Sequence, residues 1–154
     1  MGVDVGSVRV GVALSDPDGL LATPHATLQR DSSGRNRPDL RALVRLAEER
    51  DAFEVVLGLP LSLSGREGPA AAAARQYAAE LRAELEGSAL QVSVRLVDER
   101  LSTAQAAQLL RRSGAAGGER HRRTVIDQAA AAGILQAALD SERATGSPAG
   151  EAFE

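Results

Sequence analysis

The chain has 154 residues, of which 44% are hydrophobic and 25% charged, and its net charge at neutral pH is -3. These values are typical of a single globular domain with a substantial core. Cysteine is absent, which excludes disulfides, thiolate metal sites and a cysteine nucleophile. No apolar run is long enough to span a membrane and no signal peptide is visible, so we expect a cytoplasmic protein.

The basic residues are all arginines, although the net charge is acidic. Five of them lie between Arg111 and Arg123, where the one acidic residue is Glu119. Arginine suits bidentate contacts with phosphate, while its exclusive use is also typical of a coding bias. Two phenylalanines and one tyrosine are too few for a protein that binds single strands by stacking bases on aromatic rings.

The first sixteen residues, MGVDVGSVRVGVALSD, predict a β-hairpin. Gly6 and Ser7 form the turn, and apolar residues alternate along the second strand from Arg9 to Ser15. Asp4 ends the first strand beside small residues, which leave room for a bulky group such as a metal-bound phosphate. An ordinary turn residue is the alternative interpretation of Asp4.

The chain then alternates between apolar runs and helical patterns. Pro24 interrupts a third strand over Leu20–Leu28 and favours an edge position. The remaining predicted elements are a helix over Pro38–Arg50, a strand over Glu54–Leu59, a helix over Pro69–Glu86, a strand over Leu90–Val97, a helix over Thr103–Arg112 and a helix from Thr124 to about Leu139.

This order predicts an α/β fold with a mixed five-stranded sheet and helices on both faces. We expect one domain over residues 1–140. A mobile loop is predicted over Ser113–His121, and a disordered tail over residues 141–154 because that stretch has little apolar content. The glycine-containing loop after Leu59 leads into a helix, which favours either a plain connection or a phosphate contact.

Acidic residues follow several of these elements. Asp4 ends strand one, Asp98 and Glu99 end the last predicted strand, and Asp127 lies in the first turn of the last predicted helix. Clustered carboxylates need a cation, and oxygen ligands suit Mg²⁺ or Mn²⁺. Such ions would activate a water for phosphodiester hydrolysis.

Each acid also has a structural interpretation. With Thr124, Asp127 completes a T-x-x-D helix-capping pattern. Asp98 and Glu99 are possible ion-pair partners of Arg95 or Arg100. Adjacent strand residues face opposite sides of a sheet, so one of the two must point away from a shared site, and the pattern does not decide which.

Four stretches resemble the YqgF/RuvX family of Holliday junction resolvases, also described as pre-16S ribosomal RNA nucleases, which have a ribonuclease H-like fold. The matching stretches are DVGSVRVGVALSD (Asp4–Asp16), VVLGLPLSLSGREGPAA (Val55–Ala71), VDERLSTAQA (Val97–Ala106) and IDQAAAAGILQAAL (Ile126–Leu139). All four in this order are highly specific for the family. Family members carry a few more apolar residues before the first Asp, where this chain has Met1 to Val3, so we expect either a truncated first strand or a native start that lies upstream.

The resemblance implies a nuclease that depends on Mg²⁺ or Mn²⁺. The family's catalytic acids and metal ligands fall on Asp4, Glu99 and Asp127, which selects Glu99 over Asp98 by analogy. Candidate phosphate contacts are Arg9, Arg100, Arg122 and Arg123. The implied substrate is nucleic acid, either structured RNA or branched DNA, and the protein is expected to act as a monomer or homodimer without a membrane partner.

Two other functions fit parts of the pattern. The D-x-G opening also occurs in the phosphate loop of actin-like and sugar-kinase ATPases, although those enzymes close two domains over ATP and are longer. A catalytically silent nucleic-acid-binding module with the same fold is the other alternative. It would bind nucleic acid in a salt-sensitive way without metal-dependent turnover.

Overall fold

The computed structural model describes residues 1–34, 36–101 and 119–154. Six strands form one sheet in the order β3-β2-β1-β4-β5-β6. The strands are β1 (Gly2–Val5), β2 (Arg9–Ser15), β3 (Ala22–Gln29), β4 (Glu54–Leu59), β5 (Ser93–Asp98) and β6 (Glu151–Ala152). The helices are α1 (Pro38–Glu49), α2 (Pro69–Glu86) and α3 (Glu119–Thr145), with a short 3₁₀ turn over Glu99–Leu101. Within the described residues, no helix is both long and apolar enough to cross a membrane.

The sheet is mixed, as predicted. β1 pairs antiparallel with β2 and parallel with β4, and β4 pairs parallel with β5. β3 lies at one edge, and its register against β2 shifts between Val12 and Ala13, next to the pairing of Ala13 with Pro24. This irregularity accommodates a proline that cannot donate to the strand ladder. The carboxyl ends of β1, β4 and β5 therefore meet at one end of the sheet.

Helices cover both faces of the sheet. Apolar residues of α1 and α2, including Leu43, Tyr77 and Leu81, pack with Val10 and Leu57 in the larger core. On the opposite face α3 presents mostly small side chains, and the buried residues of that second core are Ala13, Val56, Val97, Ala130, Ala131, Ile134, Leu135 and Ala138. Because alanines line this contact, α3 lies close to the sheet.

The prediction of a disordered tail is wrong, and the sheet has six strands instead of five. Helix α3 continues to Thr145 because residues 140–145 contain no glycine or proline, and it ends where Gly146 adopts a φ of 69°. β6 then pairs antiparallel with β5. Arg95 donates to the carbonyls of Ala149 at 2.7 Å and Gly150 at 2.9 Å. The prediction relied on low apolar content, which indicates only that few side chains are buried. This tail is instead ordered by backbone pairing and by hydrogen bonds from Arg95.

The start of α3 also differs from the prediction. The helix begins at Glu119, so Glu119–His121 is helical instead of part of a loop, and Thr124 lies inside the helix instead of capping it. Residues 119–123 contain no helix breaker, which explains the earlier start. The helix predicted over Thr103–Arg112 and the rest of the loop predicted before Glu119 lie outside the described residues.

Candidate active site

Asp4 lies in the middle of the sheet and is buried, with 3% of the residue exposed. Its direct partner across the antiparallel pair is Gly11 of β2. A Cβ built on Gly11 would lie 2.0 Å from the main-chain oxygen of Asp127 in α3. Because directly opposed residues share a face of the sheet, Asp4 also faces α3.

Glu99 reaches the same face from the other side of β1. It follows β5 in the short 3₁₀ turn and is 4% exposed. A Cβ built on Gly58 would lie 2.3 Å from Glu99 Oε1, so the Glu99 side chain packs directly over Gly58. Val3 pairs with Leu57 across β1 and β4, and continuing this register by one residue places Gly58 beside Asp4.

Asp127 approaches from the helix. It lies in the third turn of α3 and is 3% exposed. Since α3 begins at Glu119, the helix-capping interpretation of Asp127 does not hold. Gly11 brings the main chain of Asp127 directly onto β2, next to the residue that pairs with Asp4.

The three predicted acids thus come together between the sheet and α3, with glycines on both sides of Asp4. Their oxygen donors are of the type that Mg²⁺ and Mn²⁺ bind. Among the described residues, however, no group of three or more His, Cys, Asp or Glu side chains is already arranged to hold a metal ion. The three acids fit a hard divalent cation in the chemistry of their donors.

Arg9 forms an ion pair with one of these acids. Its Nε donates to Asp127 Oδ2 at 2.7 Å, with side-chain exposures of 26% for Arg9 and 4% for Asp127. Arg9 and Gly11 are two residues apart on β2 and therefore face the same side of the sheet. The sequence singled out both residues of this pair without predicting that they touch.

Arg100 binds the neighbouring acid instead. Its Nε lies 3.0 Å from both Asp98 carboxylate oxygens and its Nη2 lies 2.5 Å from Oδ2. These hydrogen bonds hold the pKa of the Asp98 carboxyl below its usual value, against the opposing effect of burial. Asp98 is therefore an ion-pair partner of Arg100, as one sequence interpretation proposed, whereas Glu99 is the acid that faces α3.

The other predicted arginines lie on the first turns of α3. Arg123 is exposed there, and the side chain of Arg122 lies outside the described part of the structure. Both precede Asp127 on the same helix. A role in phosphate binding remains a prediction for these two residues.

The loop after β4 is a small hairpin that uses its own backbone groups. Ser62 N donates to the Arg66 carbonyl at 2.9 Å, and Gly65 N donates to the Ser62 carbonyl at 2.8 Å. Arg100 Nη1 reaches the Leu63 carbonyl at 3.2 Å, which ties this hairpin to the end of β5. These internal bonds favour the plain connection over the phosphate contact.

Sequence reasoning missed the support beneath the turn that follows Asp4. Arg30 Nη1 donates to the Gly6 carbonyl at 2.8 Å, and its guanidinium lies 5.4 Å from the centre of the Tyr77 ring. The one signal in the sequence for this contact is the single tyrosine within the alanine-rich helix α2.

The sequence model of the RuvX family, described as Holliday junction resolvase, matches residues 1–141. A relative from Nocardioides sp. is 52% identical over 159 residues, covering 100% of this chain and 95% of that protein. A Streptomyces coelicolor relative is also 52% identical, covering 100% of this chain and 87% of that protein. Both carry the name "Putative pre-16S rRNA nuclease".

The fold is also similar to a solved structure. RuvC of T. thermophilus, in complex with a Holliday junction substrate, aligns with a TM-score of 0.53 over 99% of this chain and 98% of that one, at 16% identity. This likeness confirms the predicted ribonuclease H-like fold, a mixed sheet with helices on both faces.

Proposed function

The chain belongs to the RuvX family of Holliday junction resolvases, and we propose that it is a nuclease that hydrolyses phosphodiester bonds with Mg²⁺ or Mn²⁺. Asp4, Glu99 and Asp127 are the proposed metal ligands and catalytic residues. The observation that carries this proposal is the placement of three buried carboxylates, from β1, the end of β5 and α3, on one face of the sheet beside Gly11 and Gly58.

A bound cation explains three neighbouring buried carboxylates better than a purely structural role does. Three carboxylates gathered in a buried position repel one another, and a divalent cation relieves that repulsion. When bound, the cation would supply Lewis-acid stabilisation of the phosphate and activation of a water. The chain's own contribution is orientation, because each acid is fixed on a strand, a strand end or a helix.

Arginines around this site are proposed to hold the phosphates of the substrate. Arg9 and Arg100 lie at the same end of the sheet as the acids, and Arg122 and Arg123 precede Asp127 on α3. Each guanidinium can donate two parallel hydrogen bonds to one phosphate. The proposed substrate is structured RNA or branched DNA, in line with the names of the relatives.

Several wider properties belong to the same proposal. The nuclease domain covers residues 1–140, and the segment over residues 141–154 pairs with β5 through β6. The protein acts in the cytoplasm, as a monomer or as a homodimer. A resolvase that cuts two strands symmetrically would require a two-fold dimer, whereas an enzyme that trims RNA would not. The family match supports a nuclease over the ATPase alternative.

A cleavage panel tests this function. Purified protein is incubated with a four-way DNA junction and with a structured RNA precursor, each with Mg²⁺, Mn²⁺ or EDTA, in parallel with Asp4→Asn. We expect cleavage of one substrate class with metal, none with EDTA, and a loss on the order of a thousandfold in Asp4→Asn. Salt-sensitive binding without any metal-dependent cleavage would identify a silent binding module and reject the nuclease.

A further inference from the structure

We propose that Arg9 is an internal counter-ion for Asp127 and that a divalent cation must displace it to occupy the site. This inference rests on the proposed function, because it takes Asp127 to be a metal ligand. It assigns Arg9 a positioning role in the metal-free protein, before any substrate is bound.

The geometry of the pair supports this role. Arg9 Nε lies 2.7 Å from Asp127 Oδ2, within the range of a strong charge-assisted hydrogen bond. The Asp127 side chain is 4% exposed, so it is held in a setting where an ion pair is only weakly screened. The Arg9 guanidinium is therefore hydrogen-bonded to an Asp127 oxygen that the cation would need as a ligand.

The backbone brings Arg9 and Asp127 within hydrogen-bonding distance. Gly11 brings β2 against the main chain of Asp127, and Arg9 leaves the same strand on the same face, two residues earlier. Arg9 itself pairs with Gln29 of β3 and is fixed within the sheet. The contact thus follows from the packing of α3 on β2 and not from a chance meeting of two surface side chains.

The two partners differ in their freedom to move. Asp127 is enclosed between the helix and the sheet, whereas the Arg9 side chain is 26% exposed and has a route to solvent. Two cations that share one carboxylate repel each other, so the binding of a divalent ion favours release of the guanidinium. The released guanidinium is then available for the phosphate contact proposed for Arg9.

Metal titration without substrate tests the exchange. Mn²⁺ binding is measured by calorimetry and by electron paramagnetic resonance, and melting is followed in EDTA. The proteins are the parent, Arg9→Gln, Arg9→Lys, Asp127→Asn, which shows whether Mn²⁺ binding requires this carboxylate, and Arg143→Gln. The last variant is the matched control, because Arg143 pairs with Asp140 on the same helix, far along the chain from Asp127.

We expect Arg9→Gln to melt several degrees lower in EDTA and to bind Mn²⁺ on the order of tenfold more tightly, since no guanidinium competes for Asp127. Arg9→Lys should fall between the parent and Arg9→Gln, because it keeps the charge but loses the planar donor geometry. It carries the comparison if Arg9→Gln fails to fold in EDTA. Arg143→Gln should bind Mn²⁺ like the parent.

The outcomes separate this inference from the function on which it rests. Mn²⁺ binding that requires Asp127 but is unchanged or weakened in the Arg9 variants would overturn the exchange and leave the proposed metal site standing. A parent protein that binds no Mn²⁺ at all would overturn both.

Discussion

The two faces of the central sheet each bury acidic side chains, but they surround those acids differently. On the face covered by α1 and α2, Asp39 is 2% exposed and accepts a hydrogen bond from the Tyr77 hydroxyl at 3.1 Å. Arg37 lies 3.5 Å from the same carboxylate, and Arg30 and Arg37 lie 5.4 and 5.3 Å from the centre of the Tyr77 ring. On the face covered by α3, glycines lie beneath the acids.

This contrast distinguishes a structural cluster of buried side chains from the candidate metal-binding site. The Tyr77 hydroxyl of α2 and the Arg37 guanidinium before α1 both contact Asp39, so its charge is balanced within the fold. Gly11 and Gly58 instead remove side chains from the sheet and bring Asp127 and Glu99 close to Asp4. We therefore expect the loss of Asp39 on the first face to change mainly stability, and the loss of an acid under α3 to change mainly activity.

The largest effect of a single added methyl group is expected at Gly11. Its Cβ in Gly11→Ala would lie 2.0 Å from the main-chain oxygen of Asp127, and backbone cannot turn aside as a side chain can. We expect a loss of about 3 kcal/mol in the free energy of unfolding and loss of cleavage, because α3 must move away from β2. Chemical denaturation and cleavage assays measure the two effects.

Gly68→Ala is the matched control for this substitution. Gly68 has nothing within 4 Å of a built Cβ among the described residues, and its φ of -117° is open to alanine. Parent-like stability and activity are expected there. A Gly11→Ala variant that behaves like Gly68→Ala would show that α3 does not pack tightly over Asp4.

A smaller effect, dependent on pH, is expected at Tyr77. Tyr77→Phe removes the hydrogen bond to Asp39 and should cost about 2 kcal/mol at neutral pH, with little change in cleavage. Burial, and secondly the charge of Asp39, raise the pKa of the Tyr77 hydroxyl above its ordinary value of 10.0. The unfolded chain then loses this proton first, so the parent loses stability as the pH rises above 10.

Denaturation curves of both proteins between pH 7 and pH 11 test this prediction. The difference in stability between parent and Tyr77→Phe should shrink as the pH rises above 10, because only the parent carries the hydroxyl. A difference that stays constant over this range would mean that the hydroxyl is not enclosed as the structure has it.

The sequence was most informative where a local pattern sets an element. β4 (Glu54–Leu59) and α2 (Pro69–Glu86) have the predicted bounds, because an apolar run, an opening proline and a closing glycine mark them. The tail was mispredicted because its order depends on distant partners. Gly150 has a φ of 72° and lies against Leu96, and the Phe153 amide donates to the Val94 carbonyl at 2.9 Å.

In the candidate site, too, local patterns were informative and contacts between distant elements were not predicted. The resemblance selected its three acids, but the pairing of Arg9 with Asp127 depends on how α3 lies on β2, which no local pattern specifies. The resemblance also selected Glu99 over Asp98, but the physical difference between them is visible only in the structure, where Arg100 binds Asp98 and the Glu99 side chain packs over Gly58. Periodicity and composition do not predict which side chains from two or three different elements will contact one another.

The most direct test of the account compares two buried aspartates, Asp127 and Asp39, each replaced by asparagine. Metal-dependent cleavage and thermal melting are measured for both variants at a temperature where each is folded. We expect Asp127→Asn to lose cleavage on the order of a thousandfold while remaining folded. Asp39→Asn should lose about 3 kcal/mol of stability and cleave at the parent rate. Parent-like cleavage by Asp127→Asn, or an equal loss in folded Asp39→Asn, would contradict the assignment of catalysis to the face under α3.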